Sequence, residues 1–108
     1  MWQIELSEEV AEWYDALKGE DRVKAQWMFD LLAQHGPVLR MPHAKYLGDK
    51  LWELRFYCEQ VNRRVSYVFD TEQKIITLTT FRKQRQNESR EIARARRALA
   101  RYRGREKK

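Results

Sequence analysis

From Leu51 to Arg85 the chain passes through three short apolar segments separated only by polar turns, and it closes in the basic run Arg82, Lys83, Gln84, Arg85. In the first segment Leu51, Glu53, Arg55 and Tyr57 alternate with Trp52, Leu54, Phe56 and Cys58. A period of two sends successive side chains to opposite faces of a strand, so one face is apolar and the other, with Glu53 and Arg55, must meet solvent or a ligand. The second segment puts Val65, Tyr67 and Phe69 on one side and Arg64, Ser66 and Val68 on the other. The polar loop from Glu59 to Asn62 makes these two a hairpin. A further turn over Asp70 to Lys74 leads into Ile75 to Phe81, which is β-branched through most of its length and so suited to a strand. The spacing predicts an antiparallel meander.

An apolar sheet face needs a cover, and the amphipathic material lies before Gly36 and after Asn87. Trp2, Ile4 and Leu6 alternate with Gln3 and Glu5 as a short strand. Ser7 then stands as the N-cap of a helix with Glu8 and Glu9 in its first turn and Val10, Trp13, Tyr14 and Leu17 at helical spacing; Gly19 ends it. A second helix starts near Asp21 and carries a broad stripe of Val23, Trp27, Met28, Leu31 and Leu32 until Gly36 and Pro37 stop it. The pair reads as an αα-hairpin lying across the sheet. Pro37 to Lys50 reads as a loop holding Arg40, His43 and Lys45. Beyond Phe81, Asn87 caps a third helix with Ile92, Ala95 and Leu99 inward and a ladder of Arg90, Arg94, Arg97 and Arg101 outward. The expected fold is α+β in the order β-α-α-β-β-β-α. It has an antiparallel-rich four-stranded sheet, an N-terminal helical hairpin and a C-terminal helix, with one domain over 1–103 and a basic flexible tail over 104–108.

The net charge of +6 is unevenly spread: −5 over residues 1–39, +2 over 40–81 and +9 over 82–108. Such asymmetry directs the C-terminal third towards a polyanion, nucleic acid foremost, with an affinity that falls steeply with salt. A single arginine on a strand is usually no more than a solvated surface residue; the convergence of Arg55, Arg64, Arg82, Lys83 and Arg85 is what points to phosphate. The lone Cys58 excludes an internal disulfide framework. With two histidines remote from any acidic or thiol cluster, no metal site and no cofactor is expected. There is no Gly-rich phosphate loop, paired-carboxylate motif or nucleophile elbow. Without a run of about 18 apolar residues or a charged-then-apolar leader, the expectation is a cytoplasmic protein with no membrane partner.

The order of elements resembles the RelE/ParE toxin superfamily, as do LWELR at 51–55, RVSYVFD at 64–70 and FRKQRQNESREIARA at 81–95. The likeness is strongest to its phage-derived HigB branch and covers nearly the whole chain. It implies a RelE-like toxin of a type II toxin–antitoxin system, a metal-independent endoribonuclease that cleaves messenger RNA on the ribosome. It also implies restraint by a cognate antitoxin of helix-turn-helix type. The implied chemistry is attack of a ribose 2′-hydroxyl on the adjacent phosphorus, leaving a cyclic phosphate and a 5′-hydroxyl. By that resemblance Arg64 corresponds to the arginine that stabilises the scissile phosphate, Arg55 to its second arginine, and Lys45 to a lysine ahead of the LWELR strand; for Arg55 a structural ion pair with Glu53 or a helix acid is the equal alternative. Lys83, with Arg82 and Arg85, falls in the basic segment after the last strand, and Arg90, Arg94 and Arg97 would hold RNA. The chain departs from the family pattern in having no histidine or tyrosine between Phe81 and Tyr102. Proton transfer is therefore left open between Lys83, set among like charges, His43, and a ribosomal RNA environment that does part of the work while the protein mainly distorts the message. Two other functions fit the resemblance or the charge: a ParE-like binding inhibitor of DNA gyrase, and a non-catalytic nucleic-acid-binding domain that uses the basic helix alone. The arginines of LWELR and FRK favour the nuclease.

Overall fold

The computed structural model describes residues 1–106. The elements are β1 (Gln3–Glu5), α1 (Glu8–Ala16), α2 (Gly19–His35) followed by one 3-10 turn (Gly36–Val38), β2 (Ala44–Gly48), β3 (Leu51–Cys58), β4 (Val61–Asp70), β5 (Lys74–Arg82) and α3 (Glu88–Glu106). The mixed α+β order agrees with the sequence reading, but the sheet has five strands, in the order β1-β5-β4-β3-β2. The extra strand comes from the segment read as a loop: Ala44 pairs with Leu54 and Lys45 with Glu53 on the free edge of β3. Its sequence, AKYLG, has no alternation of its own, so the backbone ladder offered by β3 specifies it. At the other edge β1 runs parallel to β5.

Cross-strand partners share a face, which makes the two sides of the sheet easy to assign. Leu54, Val65, Tyr67 and Ile75 pack with Val10, Met28, Phe29 and Leu32 under α1 and α2. On the opposite face Leu51, Val68, Ile76 and Leu78 pack with Ala95, Ala98 and Leu99 of α3. Each fully buried aliphatic side chain contributes about 1.5–3 kcal/mol, so neither layer is dispensable. The face read as looking at solvent or ligand is thus half covered. Glu53, Arg55, Arg64 and Ser66 occupy the other half, towards the start of α3.

Between the pairs Tyr67–Thr77 and Val65–Thr80, β5 carries one residue more than β4, a β-bulge. The extra residue reverses the alternation. Phe81 consequently pairs with Arg64 on the α3 side, whereas Arg82 pairs with Arg63 on the helical-hairpin side.

Ser7 caps α1 as expected, its Oγ accepting from Val10 N at 3.2 Å, and the same hydroxyl donates to Leu78 O on β5. Two other helix readings are corrected. The second helix begins at Gly19, whose φ of +57° suits glycine better than any side chain. Its stripe also does not bury Val23 and Trp27, which are 69% and 53% exposed. Apolar residues run around much of α2, and the sheet takes the side bearing Ala25, Met28, Phe29, Leu32 and Ala33. At the C-terminus α3 stays helical through Glu106, past the expected domain end at 103; residues 107 and 108 of the expected tail lie outside the described residues. No described helix is long and apolar enough to cross a membrane.

Arg94 does not join an outward ladder. Its Nη1 donates to Glu9 Oε1 at 2.5 Å, its Nε to Glu91 at 2.9 Å and its Nη2 to Thr80 O at 3.1 Å, while Glu9 also accepts from Thr80 N. One guanidinium therefore clamps α3, α1 and the unpaired edge of β5. Arg94→Ala is expected to lower unfolding free energy by about 1–2 kcal/mol in urea titration.

A candidate phosphate-binding site at the open end of the sheet

The half of this face that the apolar stripe of α3 does not take is organised by Glu53, which is 1% exposed although it carries a carboxylate. Its position in β3 puts it on the α3 side, and its neighbours compensate the burial. Arg55 Nε donates to Glu53 Oε1 at 3.2 Å, and Arg64 Nε lies 3.4 Å from the same oxygen without completing a hydrogen bond. Arg55 and Arg64 are themselves cross-strand partners, so two guanidiniums from adjacent strands share one acid. Burial raises the Glu53 pKa above the ordinary carboxylate value, outweighing the attraction of Arg55 and Arg64. Burial, then the charge of Arg55, lowers that of Arg64. Burial works against the charged form of both groups, and the repulsion between Arg55 and Arg64 is what an anion arriving at the guanidinium ends would relieve.

Those ends open into a cleft of about 370 Å³ lined by His43, Arg55, Tyr57, Asn62 and Arg64, together with Lys24 and Met28 of α2 and Met41, whose Sδ accepts from Arg55 Nη1 at 3.6 Å. His43 is fixed by its backbone: its N–H donates to Arg40 O and its carbonyl accepts from Arg55 N at 2.8 Å. Lys83 extends the β5 ladder by one bond, from its N–H to Asn62 O at 2.7 Å, and its Nζ donates to Gln84 O. The buried Asn87 holds the loop after β5. Its side chain bridges Arg82 O and Gln84 N instead of capping α3, and its carbonyl accepts the Glu91 N–H.

The residues expected at the site are therefore only partly gathered. Arg55, Arg64 and His43 line one cleft, with Lys83 bonded to its rim. Lys45 lies in β2 and not in a loop, opposite Glu53 and exposed on the same face. Arg82 is carried to the far face by the bulge. Arg85, Arg90 and Arg97 are exposed and have no ion pair among the described residues, while Arg94 is engaged internally. The ion pair of Arg55 with Glu53, and with a helix acid, is present as the sequence allowed; what the sequence reading missed is that Arg64 shares the same carboxylate and that Tyr57 lines the cleft. Alternation places Glu53 and Tyr57 on the face of Arg55, but it does not show that α3 stops short of them.

Residues 12–102 match the profile of the phage-derived Gp49-like protein family. The chain belongs to that family. No functionally curated protein matches it. In this Gp49-like chain the matched stretch takes in every lining residue of the cleft and all of the sheet except β1.

Glu88, at the start of α3, lies 3.8 Å from Arg55 Nη2 and is itself about one-third exposed. A pair this long and wet is worth no more than about 1 kcal/mol, so a phosphate would displace it without difficulty. In this Gp49-like chain Glu88→Gln is expected to tighten binding of inorganic phosphate about two- to five-fold, measured by calorimetric titration at low salt.

Proposed function

We propose that this protein is the toxin of a type II toxin–antitoxin system and a metal-independent endoribonuclease acting on messenger RNA at the ribosome. The observation that carries the reading is the pair Arg55 and Arg64, which meet at the buried Glu53 and open into a cleft that also holds His43. Membership of a phage-derived family and the resemblance of the three sequence motifs to HigB-type toxins support it.

In this mechanism neutral His43 accepts the ribose 2′-hydroxyl proton as that oxygen attacks the adjacent phosphorus. Negative charge grows on the phosphorane oxygens and is met by Arg55 and Arg64, preorganised by Glu53 so that little reorientation is needed during reaction. The bond from phosphorus to the 5′-oxygen breaks, and the Lys83 ammonium protonates the leaving oxygen. The products are a 2′,3′-cyclic phosphate and a 5′-hydroxyl end, with His43 left protonated and Lys83 neutral; proton exchange with solvent resets both. Lys45, across from Glu53, adds positive charge along the entering strand. A cognate antitoxin, expected to be of helix-turn-helix type, holds the activity in check in the cytoplasm.

The test is induction in growing bacteria followed by mapping of message ends. The reading predicts growth arrest, 5′-hydroxyl ends within translated messages, and rescue by a small helix-turn-helix gene encoded next door. Arrest with intact messages and DNA damage signalling would replace it with gyrase inhibition.

A further inference from the structure

The five tyrosines are not placed alike. Tyr14 donates to Gln26, Tyr46 accepts from Lys50 N and packs on Trp52, Tyr67 is buried among Trp52 and Phe69, and Tyr102 donates to Asp70. Tyr57 alone has neither a hydrogen bond nor a ring contact among the described residues, and it is 59% exposed. It stands two residues beyond Arg55 on the same face of β3, about 6.6 Å along the strand, and lines the cleft that Arg55 and Arg64 enter. Asn62, its cross-strand partner, lines the same cleft and bonds the backbone of Lys83.

An unengaged aromatic face beside two cations is the pairing used to hold single-stranded nucleic acid, where cations take the phosphates and rings stack on the bases. A duplex offers no free base face to such a ring, because its bases are already stacked on one another. We infer that Tyr57 is a stacking platform for the nucleobase next to the phosphate held by Arg55 and Arg64, so that the cleft takes an unpaired, unstacked nucleotide. The inference rests on the proposed function for the ligand being RNA; it does not require that the RNA be cut. Because stacking uses the ring and not the hydroxyl, Phe should replace Tyr57 and Ala should not.

The probe is a 2′-O-methylated single-stranded RNA hexamer, which lacks the attacking hydroxyl, carrying 2-aminopurine, whose fluorescence is quenched on stacking. The parent protein and Tyr57→Phe are expected to quench it with equal affinity. Tyr57→Ala should abolish the quench and weaken binding about ten-fold at unchanged circular dichroism, and the annealed duplex should give no quench with any variant. Equal quenching and affinity in Tyr57→Ala, equal quenching of the duplex, or no binding of the single strand by the parent would each overturn the inference. The nuclease reading is judged separately, on unmodified RNA in translating extract. Quenching by the parent with no 5′-hydroxyl fragments would end that reading and keep the platform. Fragments from parent and Tyr57→Ala alike, with no quench, would do the reverse.

Discussion

Arg64→Ala is expected to remove growth arrest and to lower message cleavage about 100-fold or more, with the melting temperature within a few degrees of the parent. The size follows from what the guanidinium does. A donor aimed at charge that appears only in the transition state, in a partly dehydrated cleft, accounts for two to three powers of ten in rate when deleted. Arg64 fits that description better than any other cation here. Its side chain is 13% exposed, its Nε lacks a completed hydrogen bond, and burial together with Arg55 holds its pKa below the ordinary value. Folding should tolerate the loss because Arg55 keeps its hydrogen bond to Glu53, so the acid is not left alone. Lysine at the same position would restore charge without the two-pronged geometry and should recover only part of the activity. The measurements are colony formation after induction and primer extension on a translated message. Full arrest by a folded Arg64→Ala protein would remove this residue from the chemistry and the nuclease proposal with it.

The meander was legible because a half-buried strand writes its two faces directly into the sequence: the alternation from Leu51 to Cys58 coincides with β3, and Val65, Tyr67 and Phe69 lie where their spacing puts them. The bulge was not. In the run Thr77, Leu78, Thr79, Thr80 the side chains differ little in polarity, so nothing marks the point where β5 gains a residue over β4. That one residue sends Arg82 to the wrong face for the site and brings Phe81 beside Arg64. The strand β2 escaped for a different reason, since its specification lies in the edge of β3. Arg94 and Arg97 fall on the same helical face by spacing, yet Glu9 from a distant helix takes Arg94 alone. Charge clustering in a sequence locates a site's neighbourhood; which charges remain available depends on long-range partners.

The largest effect on stability is expected from Glu53→Ala, about 3 kcal/mol, with the melting temperature falling about 12–20 °C. Removing the carboxylate leaves two mostly buried guanidiniums, 18% and 13% exposed, facing each other without the charge that holds them together. Breaking a buried pair costs about 3–5 kcal/mol, and the partial access of both arginines to water places this case at the lower end. Glu53→Gln keeps an oxygen to accept from Arg55 and should lose less. Comparison with Glu53→Gln also isolates the pH dependence. Burial raises the Glu53 pKa, so the folded state takes up the proton more readily than the unfolded chain does. The proton-linked part of the Glu53 contribution is full below the unfolded value near 4.5 and is lost as pH rises through the raised folded value, while the hydrogen bond from Arg55 is kept in either state. Asp70 has the opposite sign. Hydrogen bonds from Tyr102 and Thr71 depress its pKa, and its contribution is lost as pH falls through that lowered value. Asp70 is common to both proteins, so the stability of the parent minus that of Glu53→Gln should decline from acid towards neutral pH in urea titrations. A flat difference, or an equal melting temperature for Glu53→Ala and the parent, would mean that Arg55 and Arg64 keep their places without the acid. The cleft would then owe its shape to the strands alone.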